Sequence, residues 1–451
     1  VTRSSREDGP VPDSRAPSGD EAARVHDAGV IRVPEVPDLD PDPTSDFERV
    51  DVPSGGVPRV VDTERDLAEA MESLRGGSGP VAVDAERASG YRYGQRAYLV
   101  QLSRRGSGTW LVDPVPFADL AGLDEVLAPD EWVLHAATQD IPCLAEVGLR
   151  PRALFDTELG ARLAGLPRVG LSASLEYYLG VTLAKEHSAV DWSTRPLPEP
   201  WLRYAALDVE LLVDLRDRME RDLAEQGKLA WARQEFAALV DFRPRSADGE
   251  DWRRTSGMHR VRRPRNLAAL RELWHARDAI AQERDVAPSR IVPDSTLVDL
   301  ATRMPLHPSG LASERPDRSR SRQRRAEQGL QRYQRTWLDA VRRAAELPEE
   351  ELPAPSPRSE GPPPARAWAE RDPAAAQRLS MARAELATLS ERVDVPVENL
   401  MTPEHVRKVL WRPPSTVSAR TVDEAFAALG ARPWQRELVV PLVVAALQEH
   451  P

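Results

Sequence analysis

The sequence predicts a mixed α/β domain followed by an all-helical region, and three observations carry this expectation. From about Val60 to Phe242, short apolar runs bounded by turn residues come first. Stretches at helical spacing, interleaved with one more strand, come after. That order fits a mixed sheet flanked by helices. Past the break Phe242-Arg243-Pro244-Arg245-Ser246-Ala247-Asp248-Gly249, only helical spacing recurs. The charge also changes sign: the 451-residue chain carries −11, yet Trp252 to Ala345 holds 21 Arg against 10 Asp plus Glu, a balance of +11.

Taken in order, residues 1 to about 57 are rich in Pro, Asp, Ser and Gly with no lasting period, which predicts a disordered acidic arm. Glu64 to Leu74 reads as a helix. Pro80 to Val83, Ala97 to Leu102, Thr109 to Val112 and Trp132 to Leu134 read as strands. Helices are expected over Ile141 to Val147, Thr157 to Ala164, Leu171 to Tyr178 and, as one long element, Trp201 to Gln226. These make one domain over 58–245. A helical domain is expected over 258–345, from Leu267 to Arg284, Thr296 to Thr302 and a single Gln323 to Ala345 helix. Residues 346–372, dominated by Pro, Glu, Ser and Ala, read as a linker. A second helical unit of similar length fills 373–451.

Composition narrows the function classes. The single cysteine, Cys143, excludes an internal disulfide and a cysteine-rich metal site, and fits a reducing cytosol. No apolar run approaches the roughly 20 residues that span a bilayer. The N-terminus lacks a basic-then-apolar signal pattern. A cytoplasmic chain without a membrane partner is expected. Net acidity argues against a protein that coats nucleic acid over its whole surface. Lys185, Lys228 and Lys408 are the only lysines, a bias that a GC-rich genome explains.

Four acids and a tyrosine stand out in the α/β block. Asp84 and Glu86, in Val81-Ala82-Val83-Asp84-Ala85-Glu86, are two apart on a predicted strand and face one side of it. Adjacent carboxylates on an apolar strand repel each other, and a bound cation resolves that conflict. The alternative places both just beyond the strand end, in solvent. Tyr204 and Asp208 are four apart on a helix and share a face; a core tyrosine and a solvated aspartate is the bland alternative. Asp140 begins a helix with Pro142 in its first turn, where an N-cap explains an aspartate without chemistry. The same holds for Asp156. Oxygen ligands suit hard divalent cations such as Mg2+ or Mn2+, and a pair of such ions is a standard device for phosphodiester cleavage.

Jointly these residues resemble the exonuclease domain of ribonuclease D, a DEDD-superfamily 3′–5′ exonuclease of the tyrosine subtype. Asp84-x-Glu86 matches the first motif, Asp140 the second and Tyr204-x-x-x-Asp208 the third. Leu134-His135-Ala136-Ala137-Thr138-Gln139-Asp140 and Phe155-Asp156-Thr157 agree with it. So do Lys185, Ser188, Asp191-Trp192 and Arg195-Pro196-Leu197 in the loop before the last helix. Val190 departs from the hydroxyl residue common there, which puts a loop hydrogen bond in doubt. The resemblance covers about Val60 to Phe242.

The resemblance implies a ribonuclease H-like (DnaQ-like) fold and two-metal hydrolysis with Mg2+ or Mn2+. Asp84 would bridge two ions, Glu86 and Asp208 would complete the first ion's shell, and Asp140 would help hold the second. Tyr204 would orient, or help deprotonate, the attacking water, and a 5′-mononucleotide would leave from an RNA 3′ end. Gln101, His135, Arg87 and Arg195 are weaker substrate-binding candidates. His135 more simply packs beside the second motif, and Trp192 reads as a packing residue. Residues from about Arg260 to Ala345 resemble an HRDC domain, an auxiliary nucleic-acid module. The matching runs are Leu267-x-x-Leu270-x-x-Leu273-Trp274 and Ile291-Val292-Pro293-Asp294-x-x-Leu297. Residues 373–451 would be a second HRDC-like unit packed on the nuclease domain. The expected substrate is a tRNA precursor or another structured RNA, handled by a monomer. A DNA exonuclease of the same superfamily, a non-catalytic RNA-binding protein and an acidic calcium-binding fold are the alternatives.

Overall fold

The computed structural model describes residues 47–183, 190–244, 250–312, 320–354 and 361–450. Lys185, Ser188 and the arm before residue 47 lie outside the described residues. In chain order the α/β part contains β1 (Glu48–Val50), β2 (Val60–Val61), α1 (Glu64–Gly76), β3 (Ser78–Arg87), β4 (Ala97–Arg105) and β5 (Gly108–Val112). Then come α2 (Ala121–Leu127), β6 (Glu131–Leu134), α3 (Ile141–Glu146), β7 (Ala153–Asp156), α4 (Thr157–Leu163), α5 (Leu171–Leu179) and β8 (Val181–Leu183). It closes with α6 (Glu199–Glu210), α7 (Leu212–Glu225) and α8 (Leu229–Val240).

Six strands form one mixed sheet in the order β2-β5-β4-β3-β6-β7. β3 lies inside it, antiparallel to β4 and parallel to β6. Its run Val81-Ala82-Val83 is fully buried, as a strand covered on both faces must be. β1 pairs in parallel with β8 in a separate two-stranded sheet, and Ser54 donates to Glu210 on α6 at 2.8 Å through its N–H. Order thus reaches into residues 47–57, the last part of the expected arm. Composition alone does not show such a short strand, because its pairing partner lies more than a hundred residues away.

The single helix expected over Trp201 to Gln226 is two helices, α6 and α7, which meet at Leu211 (φ −100°, ψ −1°). α6 lies across β3, β4 and β5, whereas α7 packs on β3 and β6 and on α4, α5 and α8. A straight rod cannot face both layers, so packing overrides local helix propensity.

The helical region supplies α9 (Pro264–Glu283), α10 (Pro288–Ile291), α11 (Asp294–Arg303), α12 (Arg320–Arg332) and α13 (Gln334–Glu346). The expected Gln323 to Ala345 helix breaks at Tyr333. Gly329 lets α12 lie close against α10: a Cβ there would stand 2.0 Å from the Ile291 carbonyl oxygen, and its own carbonyl accepts the Trp337 indole N–H at 3.0 Å across the break. These helices enclose their own core around Leu267, Leu270, Leu273, Leu297 and Trp337.

The last unit contains α14 (Trp368–Arg371), α15 (Pro373–Val393), α16 (Val397–Leu400), α17 (Pro403–Trp411), α18 (Ala419–Ala428) and α19 (Pro433–Glu449). Trp368, inside the expected linker, is fully buried against Trp411. This unit shares one continuous core with the α/β part. Trp434 stacks on Trp231 at 4.9 Å and donates its indole N–H to Glu235 at 2.9 Å, and Lys228 Nζ donates to the Asp394 carbonyl at 3.0 Å. Among the described residues, no helix is long and apolar enough to cross a membrane.

Candidate active site

The alternation of β3 directs Asp84 and Glu86 to one face of the sheet, within the strand rather than beyond it. Asp84 stands opposite Gln101 on β4, and Glu86 opposite Leu99. The register shifts between Glu86 and Arg87, so the strand bends as it leaves the site. α6 covers this face and brings Asp208 down on it. One oxygen from each of Asp84, Glu86 and Asp208 lies within 4.8 Å of the others. Tyr204 stands one helical turn before Asp208, and its phenol works against the rise in that carboxylate's pKa. Ala205 and Ala206 seat α6 on Leu99 and Leu111, and Trp192 packs in the same cluster.

Asp140 and Asp156 both begin helices, yet only one of them is a cap. Asp156 Oδ1 accepts the N–H groups of Glu158 at 2.9 Å and Leu159 at 3.1 Å. The same carboxylate also holds the preceding loop, taking the Ala136 N–H at 3.1 Å and the Ala137 N–H at 2.9 Å. Asp140 makes no side-chain cap bond at the start of α3. Its carboxylate is buried and left for other work. It stands outside the trio but within its field, since it raises the proton affinity of Glu86 and is itself raised by Asp84 and Asp208.

All four carboxyls sit above their ordinary pKa, and burial is the largest cause in each. Mutual repulsion adds to it: Asp84, Asp208 and Asp140 act on Glu86, and Asp84 acts on Asp208. Burial, with Asp208, Glu86 and Asp84, pushes the Tyr204 phenol far up, so it stays protonated. A cluster that resists carrying its own negative charge, built from oxygen donors alone, fits a hard divalent cation.

The weaker candidates separate. His135 Nδ1 lies 2.9 Å from Thr157 Oγ1, whose own proton goes to the Leu134 carbonyl at 3.1 Å. His135 therefore donates through Nδ1. Burial, with help from Arg162, lowers its pKa to about 4, which keeps it neutral. Gln101 is fully buried, and neither amide atom has a hydrogen-bond partner among the described residues. Arg87 lowers the proton affinity of Asp84 and Glu86 from the end of β3. Arg195 is corrected from a phosphate contact to a strut. Nε and Nη2 bind Asp113 at 2.5 and 2.8 Å, Nη1 binds the Trp192 and Thr194 carbonyls, and Nη2 also binds the Tyr98 carbonyl, each at 2.7 Å. All five guanidinium N–H groups then have acceptors, and none is left for a phosphate.

Comparison with known proteins agrees with this geometry. Residues 58–224 match the family model for a 3′–5′ exonuclease, 266–333 match the HRDC domain, and 361–447 match a 3′ to 5′ exonuclease C-terminal domain. Ribonuclease D from Gluconacetobacter diazotrophicus is 32% identical over 69% of this chain and 78% of its own length. The chain belongs to the ribonuclease D family. Escherichia coli ribonuclease D is 30% identical over 66% of this chain and 77% of its own length. A third ribonuclease D, from Nitrobacter hamburgensis, is 34% identical, but the match spans only 53% of that protein. The crystal structure of Escherichia coli RNase D, an exoribonuclease involved in structured RNA processing, superposes with a TM-score of 0.64. It is 27% identical, covering 87% of this chain and 99% of that one. A crystal structure of a protein from Bifidobacterium adolescentis, 36% identical, gives 0.79 over 89% of this chain and all of that one. Family membership makes the chain a 3′–5′ exoribonuclease with a DnaQ-like nuclease domain.

Proposed function

We propose that this chain hydrolyses the terminal phosphodiester at RNA 3′ ends, with tRNA precursors or other structured RNAs as substrates and 5′-mononucleotides as products. The observation that carries the reading is the trio Asp84, Glu86 and Asp208, mutually within 4.8 Å, with Tyr204 beside it. Asp84, Glu86 and Asp208 would hold one divalent cation, and Asp84 with Asp140 a second. When bound, such ions supply Lewis-acid polarisation of the phosphate and a more acidic water. Tyr204 keeps its proton and offers an O–H that fixes the orientation of a water against Asp208. Burial raises both Glu86 and Asp208, Asp84 raises both further, and Asp208 and Asp140 add to the effect on Glu86, so a bound cation would favour their ionised forms.

The helical module's excess of arginine supports RNA contact, although much of that charge is already paired. Arg277 binds Asp294 at 2.7 Å, Arg303 binds Asp299 at 2.7 Å and Arg343 binds Glu272 at 3.0 Å. The test is nucleotide release from matched RNA and DNA strands in Mg2+ or Mn2+. Faster release from RNA 3′ ends, lost in Asp84→Ala, supports the reading. Faster release from DNA, or release retained in Asp84→Ala, overturns it.

A further inference from the structure

The loop of residues 88–96 leaves β3 directly after Glu86 and Arg87, and the helical module holds it from outside. The Tyr93 hydroxyl donates to Asp278 Oδ2 on α9 at 3.0 Å. Asp285, between α9 and α10, accepts twice: from the Tyr93 N–H through Oδ1 at 3.3 Å and from Arg92 Nη1 through Oδ2 at 3.3 Å. Arg290 Nε donates to the Gly90 carbonyl at 2.6 Å, and its guanidinium stacks 4.2 Å from the Tyr91 ring centre. The Ala287 N–H donates to the Tyr91 carbonyl at 3.0 Å. Tyr93 also packs on the module's own core.

The same loop reaches inward. Arg92 Nε donates to Ser193 Oγ at 2.7 Å, and Ser193 Oγ donates to Asp191 at 2.6 Å. Next to Ser193, the buried Trp192 lies 5.5 Å from Trp201 at the start of α6, and both belong to the cluster that seats Tyr204. A continuous set of contacts thus runs from Asp285 through Arg92 and Ser193 to the helix that carries Tyr204 and Asp208.

This face of the module is unsuited to gripping RNA. Two of its three charged contacts are acids, Asp278 and Asp285, which repel phosphate. The third, Arg290, is turned onto the loop's backbone and ring. Its chemistry is that of a clamp on protein.

We infer that the HRDC module is a positioning element of the nuclease site, with Asp285 as its principal positioning residue: by fixing residues 88–96 it sets turnover at the site, apart from any RNA contact it makes. The inference rests on the nuclease reading of the carboxylate cluster. Asp285 has a left-handed backbone (φ 46°), so Asp285→Gly removes the carboxylate without straining the chain. Tyr93→Phe is the second variant.

Two substrates are compared in Mn2+: the p-nitrophenyl ester of thymidine 5′-phosphate, which fills only the site, and a long single-stranded RNA. The expected result is a roughly tenfold lower kcat on the short ester in Asp285→Gly, with the RNA KM nearly unchanged. Arg92→Ala should show the same loss, and the double variant should lose no more than either single one. Unchanged ester hydrolysis with a raised RNA KM overturns the inference, since it assigns the module to RNA capture alone. Hydrogen exchange of the metal-free protein reads the link without activity. Faster exchange at 190–197 in Asp285→Gly supports it, and unchanged exchange there overturns it. A wild-type protein that cleaves neither substrate overturns the nuclease reading instead, and exchange then decides the link.

Discussion

Asp156 Oδ2 accepts the backbone N–H of Ala137 at 2.9 Å, and this bond fixes the start of the helix that carries Asp140. The Ala137 carbonyl in turn accepts the N–H groups of Asp140 at 3.1 Å and Ile141 at 3.0 Å. Between them Ala136 is held with φ at 61°, a left-handed conformation that costs an L-residue roughly 1–2 kcal/mol. Asp156 is therefore a positioning residue for an acid it does not touch. Asp156→Ala leaves four backbone donors unpaired, and is expected to cost about 2–4 kcal/mol in chemical denaturation and to lower kcat. Ala136→Gly is expected to be neutral or stabilising by up to about 1 kcal/mol, and Ala136→Val destabilising. A loss of stability in Ala136→Gly would refute the strained conformation.

The raised carboxyl pKa values carry a stability consequence. A group whose folded pKa lies above its unfolded value stabilises the fold at low pH, and that contribution is lost as pH rises through the folded pKa. Asp84, Glu86, Asp140 and Asp208 all act in this direction. Above the ordinary carboxylate range, the metal-free cluster therefore opposes folding. Glu86→Gln and Asp208→Asn are expected to raise the Tm of metal-free protein while abolishing nucleotide release. In the wild type, Mn2+ at a hundredfold over its Kd should add about 2.7 kcal/mol. Differential scanning calorimetry with and without Mn2+ checks both, and a metal-free Tm that falls in both variants contradicts the repulsive cluster.

His135 gives the opposite slope. Its folded pKa of about 4 lies below the ordinary 6.5. Its contribution is therefore full above pH 6.5 and is lost as pH falls from 6.5 to 4. The upper bound on this loss is about 3 kcal/mol. His135→Asn keeps a donor toward Thr157 but cannot titrate. Urea unfolding of the two proteins across that window should converge as pH falls, and parallel curves would remove His135 as the cause.

How far the sequence carried depends on the range of the interaction. Period-two alternation placed Asp84 and Glu86 on one face, and four-residue spacing placed Tyr204 and Asp208 on another; both relations are local and both hold in the structure. Position at a helix start does not separate Asp140 from Asp156, and only the resemblance singles out Asp140. What distinguishes them is the loop hydrogen bonds to Ala136 and Ala137, about twenty residues away from Asp156. Arg195 reads like a phosphate contact until Asp113 and the Tyr98 carbonyl, distant in sequence, take its donors. The turn at Leu211 has no glycine or proline to announce it, since the two layers on which α6 and α7 pack impose it.

Tyr204→Phe isolates the phenol from the carboxylates. The ring stays in its cluster with Trp192 and Leu99, and only the O–H is lost. A roughly 100- to 1000-fold fall in kcat is expected, within the range of a single positioned donor. KM and Mn2+ affinity should change little. Because the phenol remains protonated throughout the working range, the wild-type rate should show no alkaline limb attributable to Tyr204 below pH 10. A pH–rate limb near neutrality that vanishes in Tyr204→Phe would show that the phenol acts as a titrating base.

Gln101 tests whether the site is built at a cost to the fold. It lies opposite Asp84 on β4, and the strand residues beside it, Val100 and Leu102, are fully buried and apolar. With both amide atoms unpartnered, each buried polar group costs about 1–3 kcal/mol. Gln101→Leu has similar volume and removes both groups, so the metal-free protein should gain roughly 1–3 kcal/mol in urea unfolding. If the amide instead finds its partner in the metal-loaded cluster, Mn2+ affinity should fall in the same variant, measured by titration calorimetry. A Gln101→Leu protein less stable than wild type would show that the amide is already satisfied, and a stabilised protein with unchanged Mn2+ binding would leave the residue without a part in the site.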